Sequence, residues 1–401
     1  MIRVRSDRNR LFLVAAVAIV ALVGAACGSG GDDQDSAGGS TDTTVAEASA
    51  TGASGELDEA GTPGPYAVGL RTLSLTDSGD SGRSFSVDVW YPVDAADTAG
   101  VANAEYSFIP GLGYTSEVSF TDAPAADGSF PLVVYSHGSG GFRWVATFFT
   151  EFLASKGFVV AAPDHTGNTA IDGFTGGSVD SPTNANNRPG DVTDTIDAVL
   201  AASDDASDPL AGRVDASSIG LTGHSFGGFT ALASVSGHTN AVGSTLPDPR
   251  ITALVVMAPY TLLLSDDELA AVDVPTMMIS GTDDLTTPIE TNTERAWELI
   301  SGRPLVRIDV IAAAHNSFTD LCQLREAVAE LPDVSEAITD ALAAQAGQAC
   351  SDEVLASVEV HRITNSYAAA FLIDQLTGST TYAAVLACEG APTEVTCDVR
   401  S

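Results

Sequence analysis

After Pro131 the chain runs through six short apolar stretches: Leu132 to Tyr135, Phe158 to Ala162, Ile219 to Thr222, Ile251 to Met257, Thr276 to Ser280 and Val306 to Ile311. A strand with one wet face alternates apolar and polar residues, so runs without that alternation belong to strands buried on both faces. Such strands pair in parallel, and parallel neighbours need crossover connections that are usually helical. Between the runs, Val192, Ile196, Val199 and Leu200 recur at helical spacing behind Asp191, which reads as an N-cap. Alternating strands and helices predict a doubly wound α/β domain, a mostly parallel sheet with helices on both faces. Upstream, Phe85, Val87, Val89 and Tyr91 alternate with Ser86, Asp88 and Trp90, which predicts an early antiparallel strand. Downstream, Tyr367, Phe371, Leu372 and Leu376 line one face of a closing helix that Gly378 ends.

The flanks of this pattern read differently. Arg3, Arg5, Arg8 and Arg10 precede an apolar run from Leu11 to Val23 that is short for a membrane span, the layout of an export signal. Leu22-Val23-Gly24-Ala25-Ala26-Cys27 resembles a bacterial lipoprotein signal, with Gly24 where that motif usually carries leucine. Residues 1–26 are therefore read as the signal and Cys27 as a lipidated first residue; an ordinary secretory signal with an incidental cysteine is the alternative. Residues 27–62 hold Gly, Ser, Asp, Thr and Ala with almost no large apolar side chain, which predicts a disordered tether. No internal repeat is evident, so residues 63–401 are read as one folded domain. The remaining cysteines, Cys322, Cys350, Cys388 and Cys397, are even in number and, after export, predict two disulfides. Proximity favours Cys322 with Cys350 and Cys388 with Cys397; none has the close Cys-x-x-Cys spacing of a structural zinc site. With 53 acidic and 17 basic residues the net charge is -36, which argues against nucleic acid as a partner.

One turn carries the chemistry. Gly223-His224-Ser225-Phe226-Gly227 follows the run Ile219 to Thr222 and precedes small and apolar residues from Gly228 to Val235. This is the context in which G-x-S-x-G forms a cramped strand-to-helix turn that lifts a serine hydroxyl above the sheet. A serine is a feeble nucleophile without a base, and the base needs a carboxylate to orient it. Of the histidines after Ser225, His315 leaves the run Val306 to Ile311 and is the best placed base. His238 follows the serine too closely, and His361 is read as an exposed packing residue. For the acid, Asp284 is preferred to the adjacent Asp283, both following Thr276 to Ser280; the plainer role for either is to cap the next helix. The amide of Phe226 supplies one oxyanion donor and that of Ser139, in the loop Ser136-His137-Gly138-Ser139-Gly140-Gly141, the second. His137 and His165 are read as loop-structuring residues.

Ser136-His137-Gly138 with Phe142-Arg143, Ala161-Ala162-Pro163-Asp164-His165, Gly223 to Gly228 and His315 to Asp320 together resemble one branch of the α/β-hydrolases. That branch includes plasma-type platelet-activating-factor acetylhydrolases, dienelactone hydrolase-like proteins and cutinase-like polyester hydrolases, and the likeness runs from about Tyr66 to Tyr382. It implies an α/β-hydrolase fold and a serine carboxylic-ester hydrolase that works through an acyl-enzyme without cofactor or metal, on small or short-acyl esters. Phospholipid deacetylation and polyester hydrolysis are the neighbouring possibilities, and a catalytically silent binding lipoprotein is the rival of another class. The acetylhydrolases carry their acid where this chain has Val256-Met257-Ala258-Pro259, which offers no carboxylate; Asp284 instead resembles the cutinase-like and dienelactone hydrolase-like placement. The segment from about Phe318 to Ser357 is longer than the fold needs and carries Val334, Ile338 and Leu342 at helical spacing. It is expected to form a helical insertion pinned by Cys322 and Cys350, either a flap beside the site or a packed surface helix. The Gly- and Asn-rich stretch Thr166 to Gly190 leaves another strand end facing the same site and is expected to shape the acyl or alcohol pocket. The implied partners are a small-molecule or lipid ester and, through the anchor alone, a membrane; oligomeric state is left open.

Overall fold

The computed structural model describes residues 54–79, 82–109, 112–330, 334 and 336–401. The expected export signal, the expected lipidation site Cys27 and the expected tether up to residue 53 lie outside these residues. Among them, no helix is long and apolar enough to cross a membrane. Residues 54–61 are helical, with Leu57 and Ala60 buried, so the unstructured stretch expected to reach Thr62 gives way to packed chain earlier. Those two apolar side chains suffice to dock the turn onto the core.

The strands are β1 (Ala67–Thr76), β2 (Ser84–Val93), β3 (Asn103–Ile109), β4 (Leu112–Thr121), β5 (Phe130–Ser136), β6 (Val159–Pro163) and β7 (Val214–His224). They continue with the short pair β8 (His238–Thr239) and β9 (Ser244–Thr245), then β10 (Ile251–Met257), β11 (Thr276–Gly281), β12 (Leu305–Val310) and β13 (Val395–Arg400). Eleven form one sheet in the order β13-β12-β11-β10-β7-β5-β6-β2-β1-β4-β3. The six strands from β12 to β6 are parallel throughout and coincide with the six apolar runs of the sequence. Their side chains divide between two cores: Leu132 and Val134 enter one, while Val133 and Tyr135 enter the other. Both faces being covered removes the need for alternation in the sequence.

The expected early strand is β2, antiparallel to β6. Four further strands in the sheet were not legible. β3 and β4 are rich in polar residues, and β13 is a late edge strand, antiparallel to β12. Helix Ser181–Asp204 corrects one expectation. Its N-cap is Asp180, which accepts from the Thr183 amide at 2.8 Å, not Asp191, which is buried ten residues into the helix. Much of the stretch Thr166 to Gly190 is helical, in Ala170–Thr175 and the first half of Ser181–Asp204, where Asn184, Asn186, Asn187 and Pro189 sit inside a helix tied down by tertiary contacts. Helix Ser357–Thr377 is the closing helix, ended by Gly378 at φ 71°. It buries His361, which stacks on Phe148 at 3.6 Å and is not exposed as expected. The insertion contains helices Leu321–Ala329 and Glu336–Ala346, and the disulfides join Cys322 to Cys350 and Cys388 to Cys397, each with 5.5 Å between Cα atoms.

Candidate active site

Ser225 sits between β7 and helix Phe226–Ser236 with φ 56° and ψ -117°, a conformation that a non-glycine residue adopts only under constraint. The turn is tight because its neighbours lack side chains. A Cβ at Gly223 would lie 2.4 Å from the Gly227 carbonyl carbon, and one at Gly227 would lie 1.8 Å from the Ser136 oxygen. The Ser225 amide donates to the Met257 carbonyl at the end of β10, fixing the turn to the sheet.

His315 follows β12, on the short turn His315–Phe318, and reaches Ser225 across the strand ends. Its Nε2 lies 2.8 Å from Ser225 Oγ and its Nδ1 lies 2.8 Å from Asp284 Oδ2. Asp284 is also held by Thr286 and Thr287. Both amides donate to its Oδ1 at 2.8 Å, and the Thr287 hydroxyl stands 2.7 Å from Oδ2. Burial works to raise the Asp284 pKa, yet the hydrogen bonds and charge of His315 and the Thr287 donors hold it below the ordinary value. A carboxylate so held stays ionised and accepts from Nδ1–H, which leaves the Nε2 lone pair toward the serine hydroxyl. Asp283 is not part of this chain of contacts; its side chain accepts from Thr282. His224 backs the site: its Nε2 lies 2.9 Å from the His315 carbonyl, and burial, with the neighbouring His315, lowers its pKa to about 3. It is therefore a neutral donor that positions the His315 backbone.

Ser225 and His315 open onto a cavity of about 230 Å³ whose lining includes Ser139, Phe142, Thr286 and Gln345. Neither the Ser139 nor the Phe226 amide donates to an acceptor among the described residues. The Ser139 hydroxyl accepts from Asn168 Nδ2 at 3.0 Å.

Behind this loop lies a buried network that sequence reasoning did not find. Ser136 Oγ meets His165 Nε2 at 2.9 Å, and His165 Nδ1 meets Asp191 at 2.9 Å. Arg83 also pairs with Asp191, at 2.6 Å. The buried Arg188 contacts the His137 carbonyl, Asn168 Oδ1 at 2.8 Å and Ser136 Oγ at 3.1 Å, and lies 4.9 Å over the Phe226 ring. His137 and His165 structure the loop as expected, the His165 amide donating to His137 Nε2 at 3.1 Å. Arg143 pairs with Asp164 at 2.7 Å and Asp88 at 2.9 Å, which fixes the backbone next to Phe142. From the insertion, the Gln345 side-chain Nε2 donates to the Gly140 carbonyl at 3.3 Å while the Gln345 backbone carbonyl accepts from Asn316 Nδ2 at 2.6 Å. A helical spacing predicted that helix but not which of its residues meets the site.

A family model described as PET hydrolase-like matches residues 142–323. The chain is 24% identical to platelet-activating factor acetylhydrolase of Cavia porcellus, over 54% of this chain and 59% of that protein. It is 28% identical to cutinase est1 of Thermobifida alba, over 44% of this chain and 50% of the relative. It is 23% identical to bis(hydroxyethyl) terephthalate hydrolase of Streptomyces coelicolor, over 48% and 53%. The chain thus spans between 50 and 59% of the length of these curated relatives.

Proposed function

We propose that this chain, an α/β-hydrolase of the branch that holds acetylhydrolases and cutinase-like polyester hydrolases, is a serine carboxylic-ester hydrolase acting on small esters. The observation that carries the reading is the line Ser225–His315–Asp284, with 2.8 Å at each step, opening on a cavity. Names of the relatives point the same way, since all three act on esters or are named for ester substrates.

In the proposed mechanism the Ser225 hydroxyl attacks the ester carbonyl while His315 Nε2 takes its proton. The carbonyl oxygen becomes an oxyanion between the amides of Phe226 and Ser139. The imidazolium, steadied by Asp284, returns the proton to the departing alkoxide, and an acyl-serine remains. Water, deprotonated by the same histidine, then releases the carboxylic acid and restores the hydroxyl. We assign the exclusion of bulky polymers to the insertion, whose Gln345 lines the cavity beside Ser225. The same reading carries export of the protein and attachment through Cys27 to the outer face of the membrane.

The test is hydrolysis of p-nitrophenyl acetate and butyrate by the full chain and by Ser225→Ala. Turnover in the wild type that falls by at least about 10³-fold in the variant is expected. A folded wild type that hydrolyses neither ester, or a variant as active as the parent, overturns the proposal.

A further inference from the structure

Beside the cavity of Ser225 lies a second one of about 170 Å³, walled by Phe108, Phe142, Ile171, Phe174, Ile338 and Leu342. Among the described residues, Gln345 is the sole polar one of its lining. The two cavities share Phe142 and Gln345, so they meet at those side chains. Apart from Phe108 of β3 and Phe142, the walls come from helices Ala170–Thr175 and Glu336–Ala346, neither of which the central sheet requires. Ile338 and Leu342 stand one turn apart on the second helix and face the cavity together. On the first, Ile171 and Phe174 are 42% and 56% exposed, large apolar groups that neither core absorbs. A lone exposed apolar residue is ordinary; two on one rim, opposite two more, form a continuous apolar surface that water covers poorly.

Gln345 stands at the junction. Its side chain is exposed and reaches the Gly140 carbonyl through a single long hydrogen bond of 3.3 Å between neutral groups. Such a bond exchanges for water at little net cost, so the side chain is free to swing and join the two spaces. We infer that the second cavity is a subsite for a hydrocarbon arm of the ester substrate, an alkyl chain or aryl ring that passes Gln345 from the catalytic cavity. A charged headgroup does not fit there, because the walls offer no charge and only one polar side chain to replace its hydration. The inference rests on Ser225 being the nucleophile, and it extends the substrate beyond the short acyl chain expected from the sequence.

The experiment compares kcat/KM of the full chain for p-nitrophenyl acetate and octanoate, and for ethyl and octyl acetate, in four forms: wild type, Ala341→Trp, Gln345→Ala and Leu246→Ser. Ala341 lines the apolar cavity, whereas Leu246 is 85% exposed and lines neither cavity. The octanoate-to-acetate ratio in the wild type is expected to exceed about 10, burial of each methylene giving up to about a fourfold gain. Ala341→Trp is expected to cut that ratio about tenfold, Gln345→Ala to raise it, and Leu246→Ser to leave it unchanged. The same pattern in the octyl-to-ethyl acetate ratio instead of the acyl series places the alcohol arm in the subsite and supports the inference equally. Hydrolysis with ratios that neither Ala341→Trp nor Gln345→Ala moves overturns this inference alone. If Ala341→Trp fails to fold, Gln345→Ala decides it. Hydrolysis of no ester by the folded wild type overturns the ester-hydrolase reading and, with it, this one.

Discussion

Arg188 is a buried side chain placed to act on the proposed reaction without touching substrate. Its guanidinium holds the His137 carbonyl and Asn168 on one side and lies over the Phe226 ring on the other, bracing both proposed oxyanion donors. Arg188→Met is expected to lower kcat for acetate hydrolysis about tenfold or more with KM little changed, and Arg188→Lys to rescue little, because an ammonium lacks the planar fork. Equal losses in kcat and in folded fraction by circular dichroism would reduce Arg188 to a structural role. Asp320 offers a different test. Burial pushes its pKa up to about 7 although the Thr147 hydroxyl and Phe148 amide donate to it. A carboxyl whose pKa is raised on folding stabilises the protein below its unfolded pKa, and that contribution is lost as pH rises through about 7. The melting temperature of the wild type, compared with Asp320→Asn, is therefore expected to fall between pH 4 and 8 by the equivalent of about 1–4 kcal/mol. A difference that does not change with pH refutes the assignment. The serine and His315 were legible because glycines at fixed offsets and the end of an apolar run mark them locally. Choosing Asp284 over Asp283 rested on motif resemblance, for adjacent carboxylates cannot be ranked by spacing; in the structure only Asp284 meets His315. Arg188 and Gln345 were not legible at all, since each acts on residues 51 and 205 positions away in the chain.

Among elements, the six parallel strands were legible because burial on both faces removes alternation, and so was the second half of helix Ser181–Asp204, whereas β3, β4 and the first half of that helix were hidden by composition that tertiary contacts override. The turn at Ser225 depends most on its sequence. Gly227→Ala would drive a Cβ into the Ser136 carbonyl at 1.8 Å, in the strand that leads to the oxyanion loop. It is expected to cost about 1–3 kcal/mol of stability, measured by urea denaturation, and more activity than Ser225 accessibility alone explains. A variant as stable and active as the wild type would mean that the turn relaxes. In the insertion, the Cys322–Cys350 bond closes a segment of 28 residues around helix Glu336–Ala346. Replacing both cysteines by serine is expected to remove about 2–4 kcal/mol and to expose that helix to proteolysis first. Cleavage beginning elsewhere would indicate that helix packing, not the bond, holds the insertion.

For the whole molecule, a net charge of -36 is the dominant long-range property. With 53 acidic residues against 17 basic ones, ion pairs such as Arg213 with Asp127 and Arg250 with Asp197 offset only a minority of the acidic charge. Self-repulsion of that excess opposes the compact state, and salt screens it over a distance of about 10 Å at 0.1 M. The melting temperature at pH 7 is therefore expected to rise by several degrees, about 3–8 °C, between 10 mM and 0.5 M sodium chloride. Sodium chloride and potassium chloride should act alike, because screening depends on ionic strength and not on the ion. The same field acts on substrates: it repels anionic esters and leaves neutral ones unaffected, so kcat/KM for a succinate half-ester should increase with salt while that for an uncharged acetate stays flat. A melting temperature independent of ionic strength would place the acidic residues too far apart to interact, and any selectivity found for neutral esters would then have to come from the apolar walls of the site alone.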